Sequence, residues 1–227
     1  MRIAILQPSY LPWLGFFDQM AKVDTFVLLD DIQYTRRDWR NRNRIRIKDG
    51  WAWITVPVIQ KDRFEQSLLE TEIDNSVNWR AKHLRAIQHG YSRAPYFKEY
   101  FPYFESLYCR EWDLLVDLCC ETIRYLKEAL KIKTPILRSS ELGAGGTKGG
   151  RILAICQKLE AGHYLTGDKA RDYLSEEEFL SRKTILEYHN YVHPEYRQSF
   201  PGFVPYLSVV DLLFNHGEDS LGILMKG

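Results

Sequence analysis

The residues best suited to chemistry stand in polar segments that directly follow apolar runs. QPSYLPWLG (7–15) follows RIAIL, and DDIQYTRRDWRNRN (30–43) follows TFVLL. Segments of this kind meet at the carboxyl edge of a parallel sheet, where side chains and free backbone amides can surround a ligand. We therefore predict one cleft at this edge, lined by Gln7, Tyr10, Trp13, Asp30, Gln33 and Tyr34.

Two aromatic residues in the first segment have two interpretations. Tyr10 and Trp13 combine an apolar ring with a polar tip, which suits the floor or wall of a site for a flat ligand or a sugar ring. The same bulk would also seal the end of a hydrophobic core. Their spacing leaves both interpretations open.

The second segment is rich in arginine. Six arginines and no lysine stand between residues 36 and 46, together with Trp39 and two asparagines, among them Asn43. Arginine forks match pairs of phosphate or carboxylate oxygens, so Arg42 is a candidate phosphate ligand. A basic, aromatic stretch also suits RNA, and the remaining alternative is a solvated surface loop.

A glycine-rich segment, GAGGTKGG (143–150), precedes an amphipathic helical pattern. Free amides ahead of a helix, together with Lys148 and Arg151, could hold a phosphate, although the segment does not match GxxxxGK[ST]. A flexible turn is the alternative interpretation of this segment.

Two further residues are candidates near strand ends. Asp168 follows HYLTG and could bind an amine or hydroxyl, or it could cap the next helix. His193, in VHPEYRQ, is the best placed of six histidines for proton transfer, with a structural role as the alternative. No catalytic triad spacing or metal-ligand cluster is visible, so no metal is expected.

The elements that must position these residues alternate between strand and helix. Strands are predicted at 2–6, 25–30, 43–47, 51–58, 163–167 and 184–191, and a strand with the segment that leaves it is predicted at 135–142. Helices are predicted at 14–21, 78–90, 96–108, 112–131, 151–159, 176–180 and 209–214. This order predicts a single α/β domain over 1–227, with a mainly parallel sheet, flanking helices and a helical segment at about 78–132. The pair at 43–58 is expected to add an antiparallel hairpin to that sheet.

Composition excludes several classes of protein. The formal net charge is +1, so no overall field attracts a polyanion. No apolar run is long enough for a membrane span and no signal-peptide pattern is present, which predicts a cytoplasmic protein without membrane insertion. The four cysteines form no CxxC pair and are expected to be reduced.

The chain resembles the WbqC-like proteins of bacteria. The block QPSYLPWLGFF…DTFVLLDDIQYTRRDWRNRNRI carries the resemblance, supported by GTKGGRILAIC (146–156), YLTGDKARDYL (164–174), HPEYRQ (193–198) and FVPYLSVVDLLFNHG (203–217). The resemblance implies that the protein is encoded together with O-antigen and other surface-polysaccharide genes. It also implies that the protein transfers or ligates an acyl or aminoacyl group onto an amino sugar. Where the family has GKTxRL, this chain has TKGGRI, and YLSG is replaced by YLTG.

A fainter similarity concerns the first strand, loop, helix and strand, which are similar to the entry of nucleotidyltransferase-like adenylating enzymes. Those enzymes hold ATP with an HxGH-type turn, and this Rossmann-like entry reads PWLGF (12–16) instead. Use of ATP by that route would require Arg42, Lys148 or Arg151 to replace the histidines.

Together, the residues and the resemblance predict a transferase or ligase that acylates an amino sugar, which we expect to be nucleotide-linked. The cofactor is unknown, with ATP or an activated acyl donor as candidates, and aminoacyl-tRNA is a candidate partner. Asp30 or His193 would accept the proton of the amine, while Gln7, Gln33 and Asn43 would orient it. Two alternatives remain: a non-catalytic protein that binds a nucleotide sugar or RNA, and an assembly factor.

Overall fold

The computed structural model describes residues 1–36, 38–61, 63 and 65–227, so Arg37 of the arginine-rich segment lies outside the described residues. The strands are β1 (Arg2–Leu6), β2 (Thr25–Leu28), β3 (Arg42–Ile47), β4 (Gly50–Thr55), β5 (Ile136–Arg138), β6 (His163–Gly167) and β7 (Ile185–His189). The helices are α1 (Leu14–Ala21), α2 (Trp79–Tyr91), α3 (Phe97–Cys109), α4 (Leu115–Ala129), α5 (Ser139–Leu142), α6 (Lys148–Lys158), α7 (Glu176–Ser181), α8 (Val209–His216) and α9 (Ser220–Leu224).

Five strands form one parallel sheet in the order β5-β2-β1-β6-β7. The chain adds β2 and β5 on one side of β1 and then crosses to the other side to add β6 and β7. The strand order therefore reverses between β1 and β6, which is the topological switch point of a doubly wound sheet. The predicted α/β class with a mostly parallel sheet and flanking helices is confirmed.

The two faces of the sheet are covered by different sets of helices. Along β1, Ile3 and Ile5 belong to a core cluster that includes residues of α6 and α7. Ala4 points to the opposite face, where the larger core cluster contains residues of α1, α2, α3, α4 and α8. This alternation follows from the two-residue period of a strand, and burial of both faces explains why β1 is apolar at every position after Arg2.

The prediction for the hairpin is wrong in one respect. β3 and β4 pair antiparallel as expected, with Arg44 opposite Trp53, but they form a separate two-stranded sheet. Ile45 and Ile54 bury the inner face of the hairpin in the larger core cluster, on the side of α2 and α8. Sequence alternation reveals that a hairpin has one apolar face, but it does not reveal whether that face packs on helices or the hairpin extends a sheet edge.

Candidate functional site

A cleft of about 580 Å³ opens at the carboxyl ends of β1 and β6, at the switch point of the sheet. It is lined by Ile5, Leu6, Gln7, Ser9, Pro12, Trp13, Phe16, Leu29, Trp39, Arg40, Asn43, Arg44, Ile152, Tyr164, Thr166, Gly167, Lys169, Ala170, Tyr173 and Tyr206. Crevices at this position bind ligands in open α/β sheets because the loops on either side of the reversal diverge. The size falls in the range of ordinary small-molecule sites.

Every formally charged residue that lines the cleft is a cation. Arg40 and Arg44 come from the segment after β2, and Lys169 comes from the short 3-10 turn Asp168–Asp172 after β6. Among the described residues, no aspartate, glutamate, histidine or cysteine lines the cleft. The cleft is therefore built to attract an anionic ligand.

Arg40 connects the two segments that enclose the cleft. Its Nη1 donates to Ser9 Oγ at 2.8 Å, and its Nη2 lies 3.3 Å from Oδ2 of Asp38. The Arg40 carbonyl in turn accepts from the backbone amide of Tyr10 at 3.0 Å. Burial lowers the pKa of the Arg40 guanidinium, and Asp38 opposes that effect. Arg40 thus fixes the β1–α1 loop against the arginine-rich segment.

Trp13 forms an aromatic wall of the cleft with Tyr206. Their ring centroids lie 6.0 Å apart, and Tyr191 packs edge-on against Trp13 from outside the cleft at 5.5 Å. The indole folds back over Gly15, where a Cβ atom would meet ring atoms of Trp13 at 2.4 Å. The glycine of the PWLG sequence therefore makes room for the tryptophan, which explains why this loop can carry so large a side chain.

Three of the predicted site residues line the cleft: Gln7, Trp13 and Asn43. The side-chain amide of Asn43 is largely occupied, because Nδ2 donates to the Leu11 carbonyl at 2.6 Å and Oδ1 accepts from the Arg44 amide. Leu11 has a φ of 46°, in the left-handed region that residues other than glycine rarely adopt. Asn43 therefore holds a strained loop in place beside the cleft.

The predicted aromatic residues Tyr10 and Tyr34 lie inside the core instead of lining the cleft. Tyr10 is fully buried, and its hydroxyl lies 3.0 Å from Nδ1 of His83 and close to the hydroxyl of Tyr108. Tyr34 is 5% exposed, and burial raises its pKa to about 12. For Tyr10, the structure matches the interpretation that the ring seals the core.

Asp30 is fully buried and connects β2 to the segment after β5. Its carboxylate accepts hydrogen bonds from Arg138 Nε at 2.5 Å, from Ser139 Oγ at 3.0 Å, and from both the amide and the hydroxyl of Ser140. Burial opposes ionisation, but the hydrogen bonds from Arg138 and Ser140 hold the pKa of Asp30 below its usual value. The carboxylate is thus committed to structural partners and does not line the cleft.

The cations predicted to bind phosphate are also outside the cleft lining. Lys148 is exposed at the start of α6, and Arg151 forms an ion pair with Asp31 and donates to the Ala144 carbonyl. The Arg42 guanidinium lies 4.4 Å from the centroid of the Trp53 ring. These contacts hold Arg151 against the glycine-rich segment and place the Arg42 side chain over Trp53 of the neighbouring strand β4.

Gln33 and Asp168 are both exposed. Gln33 pairs with Ser67 in an isolated β-bridge, and Asp168 begins the 3-10 turn after β6. Neither side chain lines the cleft, although Lys169, the neighbour of Asp168, does.

His193 lies in an aromatic cluster next to the cleft wall. Its ring packs against Tyr206 with centroids 5.4 Å apart, and Tyr191, Tyr196 and Phe203 surround it. Nδ1 lies 2.9 Å from the Pro194 carbonyl, so this nitrogen carries the hydrogen and Nε2 keeps its lone pair. Nε2 is buried without a partner among the described residues, and burial lowers the pKa of the imidazole.

Several lining residues were not predicted, among them Arg40, Arg44, Lys169, Thr166 and Tyr206. Both arginines stand in the arginine-rich segment, but alternation alone does not tell which arginines of that run reach the cleft. Lys169 follows a strand end that the sequence does indicate, so it could have been found together with Asp168. No local signal in VPYLS marks Tyr206, since only the packing of the 190–208 segment brings it to Trp13.

Other classes of site are not evident in the described part of the chain. No group of three or more His, Cys, Asp and Glu residues there could hold a metal ion. No helix of the described chain has the length and apolar character needed to cross a bilayer.

Comparison with known proteins gives one family and one curated relative. A model of the WbqC-like protein family matches residues 7–223. The uncharacterized protein Rv1507c of Mycobacterium tuberculosis (strain ATCC 25618 / H37Rv) is 39% identical over 223 residues, covering 96% of this chain and 95% of the relative. No solved structure matches the chain.

Proposed function

The chain belongs to the WbqC-like family, and we propose that it binds a nucleotide-linked amino sugar in the switch-point cleft and transfers an acyl or aminoacyl group to the sugar amine. Membership of this family suggests a role in polysaccharide biosynthesis. The observation that carries the proposal is the cleft itself, which lies at the switch point and combines cations with aromatic walls. A nucleotide sugar has groups that match this lining: its phosphates can bind the cations, and its flat rings can pack against the aromatic side chains.

The reaction joins the acyl carbon of a donor to the amine nitrogen of the sugar. The nitrogen attacks the acyl carbon, the bond between that carbon and the donor's leaving group breaks, and the amine loses one proton that finally reaches the leaving group. An acyl thioester, an aminoacyl-tRNA ester or an ATP-activated carboxylate would each supply a suitable leaving group. We propose that the cleft holds the amine in position, which lowers the entropy cost of the attack.

His193 is our proposed proton acceptor. Its Nε2 has a free lone pair, and burial keeps the ring neutral near pH 7. His193 does not itself line the cleft but packs against Tyr206, which does, so a proton from the cleft would have to pass Tyr206 to reach Nε2. A positioned base typically contributes 10²- to 10⁴-fold, so we expect His193→Gln to lower kcat by about 10²-fold or more while KM changes little. If His193→Gln weakened substrate binding as much as it lowered kcat, the role of His193 would be structural instead.

The test of the activity is a search for a mass gain. Purified protein is incubated with UDP- or dTDP-linked amino sugars and each donor in turn: acyl-CoA, ATP with an amino acid, and aminoacyl-tRNA. We expect one donor to acylate the amino sugar. We expect no donor to acylate UDP-glucose, which has a hydroxyl in place of the amine. Failure of all donors with a nucleotide amino sugar that binds would refute the transfer reaction.

A second candidate function is binding without catalysis, of a nucleotide sugar or of RNA. It is favoured by one observation: among the described residues, no carboxylate, cysteine or histidine lines the cleft. RNA binding through the arginine-rich segment would weaken steeply with salt, because each neutralised phosphate releases counterions. A nucleotide sugar held partly by aromatic rings would respond much less, so affinities measured at several salt concentrations separate the two ligands.

A further inference from the structure

Arg44 occupies an unusual position at the cleft. Its guanidinium carbon lies 5.1 Å from the ring centroid of Trp39, 4.8 Å from that of Trp51 and 5.6 Å from that of Trp53. We call these three tryptophans the indole cage. Trp53 lies directly opposite Arg44 in the hairpin register, and Trp51 lies on the same face two residues away.

The indole cage is itself held together by ring contacts. Trp39 and Trp53 have centroids 5.1 Å apart, and Trp51 packs edge-on against Trp53 at 5.5 Å. Each of the three indoles nevertheless remains more than a third exposed. A cluster of exposed tryptophans is costly to present to water. Here all three indoles contact the Arg44 guanidinium, and Trp53 also contacts that of Arg42.

Stacking on indoles restrains a guanidinium without using its hydrogen-bond donors. The attraction acts through the flat face, while the N–H groups project from the edge of the group and remain available. Among the described residues, no carboxylate or carbonyl oxygen pairs with the Arg44 guanidinium. Arg44 is thus a positioned cation for which the described residues supply no acceptor, and its Nε is buried without a partner among them.

The charges in the cleft indicate the ligand. Arg40 already has Asp38 at 3.3 Å, whereas Arg44 and Lys169 have no described acidic partner. The two cations without a described acidic partner come from different elements that line the crevice, Arg44 from the hairpin and Lys169 from the turn after β6. Their combined charge of about +2 matches the two ionised phosphates of a nucleoside-diphosphate sugar.

We propose that Arg44 and Lys169 form a diphosphate clamp and that the indole cage holds Arg44 in its binding position. This inference rests on the proposed function, and it specifies a nucleoside-diphosphate sugar as the ligand class. It also assigns phosphate binding to the hairpin and the turn after β6. The glycine-rich segment is not needed, since Arg151 there is paired with Asp31 and Lys148 does not line the cleft.

The first experiment measures binding by calorimetry, so that it does not depend on knowing the acyl donor. The probes are UDP and dTDP, with uridine and thymidine as ligands that lack phosphates. We expect Arg44→Gln and Lys169→Gln each to weaken binding of the preferred diphosphate by about tenfold or more, as for loss of one charge-assisted contact, with nucleoside binding unchanged. Lys148→Gln is the matched control and should bind as the wild type does.

The second experiment tests the indole cage through a residue outside the cleft. Trp51 does not line the cleft, so Trp51→Leu should weaken diphosphate binding only by releasing Arg44. The effect should vanish in the Arg44→Gln background, because the two substitutions then remove the same interaction. Arg44→Lys should restore only part of the affinity, since an ammonium keeps the charge but lacks the stacked fork. Additive effects of Trp51→Leu and Arg44→Gln would overturn the role of the cage.

The remaining outcomes separate this inference from the proposed function. Suppose that UDP or dTDP binds the wild type, Arg44→Gln and Lys169→Gln equally well, and that only Lys148→Gln weakens this binding. The clamp proposal is then wrong, while nucleotide binding by the protein stands. If the wild type binds no nucleoside diphosphate and no nucleotide amino sugar, the proposed function fails and the clamp fails with it. Thermal melting of each variant shows whether the fold is retained.

Discussion

The Tyr10 hydroxyl lies 3.0 Å from Nδ1 of His83 and close to the Tyr108 hydroxyl, and none of the three side chains lines the cleft. His83 in turn places Nε2 3.1 Å from the Thr55 carbonyl, at the end of β4. The three polar tips therefore satisfy one another within an otherwise apolar region. At the scale of single residues, the loop that supplies Trp13 to the cleft also supplies Tyr10 to the core.

We expect Tyr10→Phe to destabilise the fold without changing ligand affinity. The substitution leaves buried polar atoms of His83 and Tyr108 without a partner, which costs about 1 to 3 kcal/mol. Urea unfolding measures this loss, and Tyr173→Phe is the control for stability alone, because Tyr173 is 60% exposed but lines the cleft. Weaker nucleotide binding by Tyr10→Phe, with stability unchanged, would instead support Tyr10 as a ligand-binding residue.

The hairpin and α2 come unusually close together at the scale of elements. Gly90 lies in the last turn of α2, and a Cβ atom there would meet the Arg46 carbonyl oxygen of β3 at 2.5 Å. The Arg46 amide also donates to the Tyr91 hydroxyl at 2.9 Å. This contact places the hairpin on the helical side of the molecule and so fixes where Arg44 meets the cleft.

Gly90→Ala is therefore expected to destabilise the protein, although alanine normally favours a helix over glycine by about 1 kcal/mol. Relief of the backbone overlap requires α2 or β3 to move, which costs about 1 to 3 kcal/mol. Gly222→Ala in α9 is the matched control, since no atom lies within 4 Å of the added methyl group. Equal urea midpoints for the two variants would show that the close approach is absent in solution.

At the scale of the whole molecule, two buried groups give opposite dependences of stability on pH. Burial lowers the pKa of His83 to about 4, so the unfolded chain binds its proton first and stability falls as the pH drops from 6.5 towards 4. Burial raises the pKa of Asp211 to about 6, against hydrogen bonds from Tyr196 and Tyr91. The folded protein then binds that proton first, so this contribution grows as the pH drops from about 6 to 3.8 and is lost as the pH rises.

Asp211→Asn should therefore make the protein more sensitive to acid. Between pH 7.5 and pH 5 the variant is expected to lose about 1 to 2 kcal/mol more stability than the wild type, because the His83 effect is no longer offset. Denaturant unfolding at the two pH values measures the difference. Asp168→Asn, at an exposed position, should follow the wild type. A variant that loses less stability than the wild type would contradict this sign.

Much of the fold could be predicted from local patterns. The bounds of β1, α1 and β6 match the predictions residue for residue. The apolar run of β1 stops before Gln7 and Pro8, the apolar stripe of α1 stops before Lys22, and β6 ends at Gly167. The second strand was predicted to end at Asp30 but ends at Leu28, the last of its residues that pairs with β1. The prediction was two residues too long because Leu29 continues the apolar run in the sequence. Helix α6 begins three residues before the predicted start, within the glycine-rich segment.

The candidate site could be predicted only in part. The sequence alone determined the α/β class, the polar segments at strand ends and the presence of arginine beside tryptophan, because these depend on neighbours along the chain. Only the tertiary structure decided that the polar groups of Tyr10 and Asp30 are buried with hydrogen-bond partners, and that Arg44 and Lys169 line the same cleft. The reason is physical: strand order and hairpin packing are set by contacts between residues that are far apart in the chain, and no local period records them.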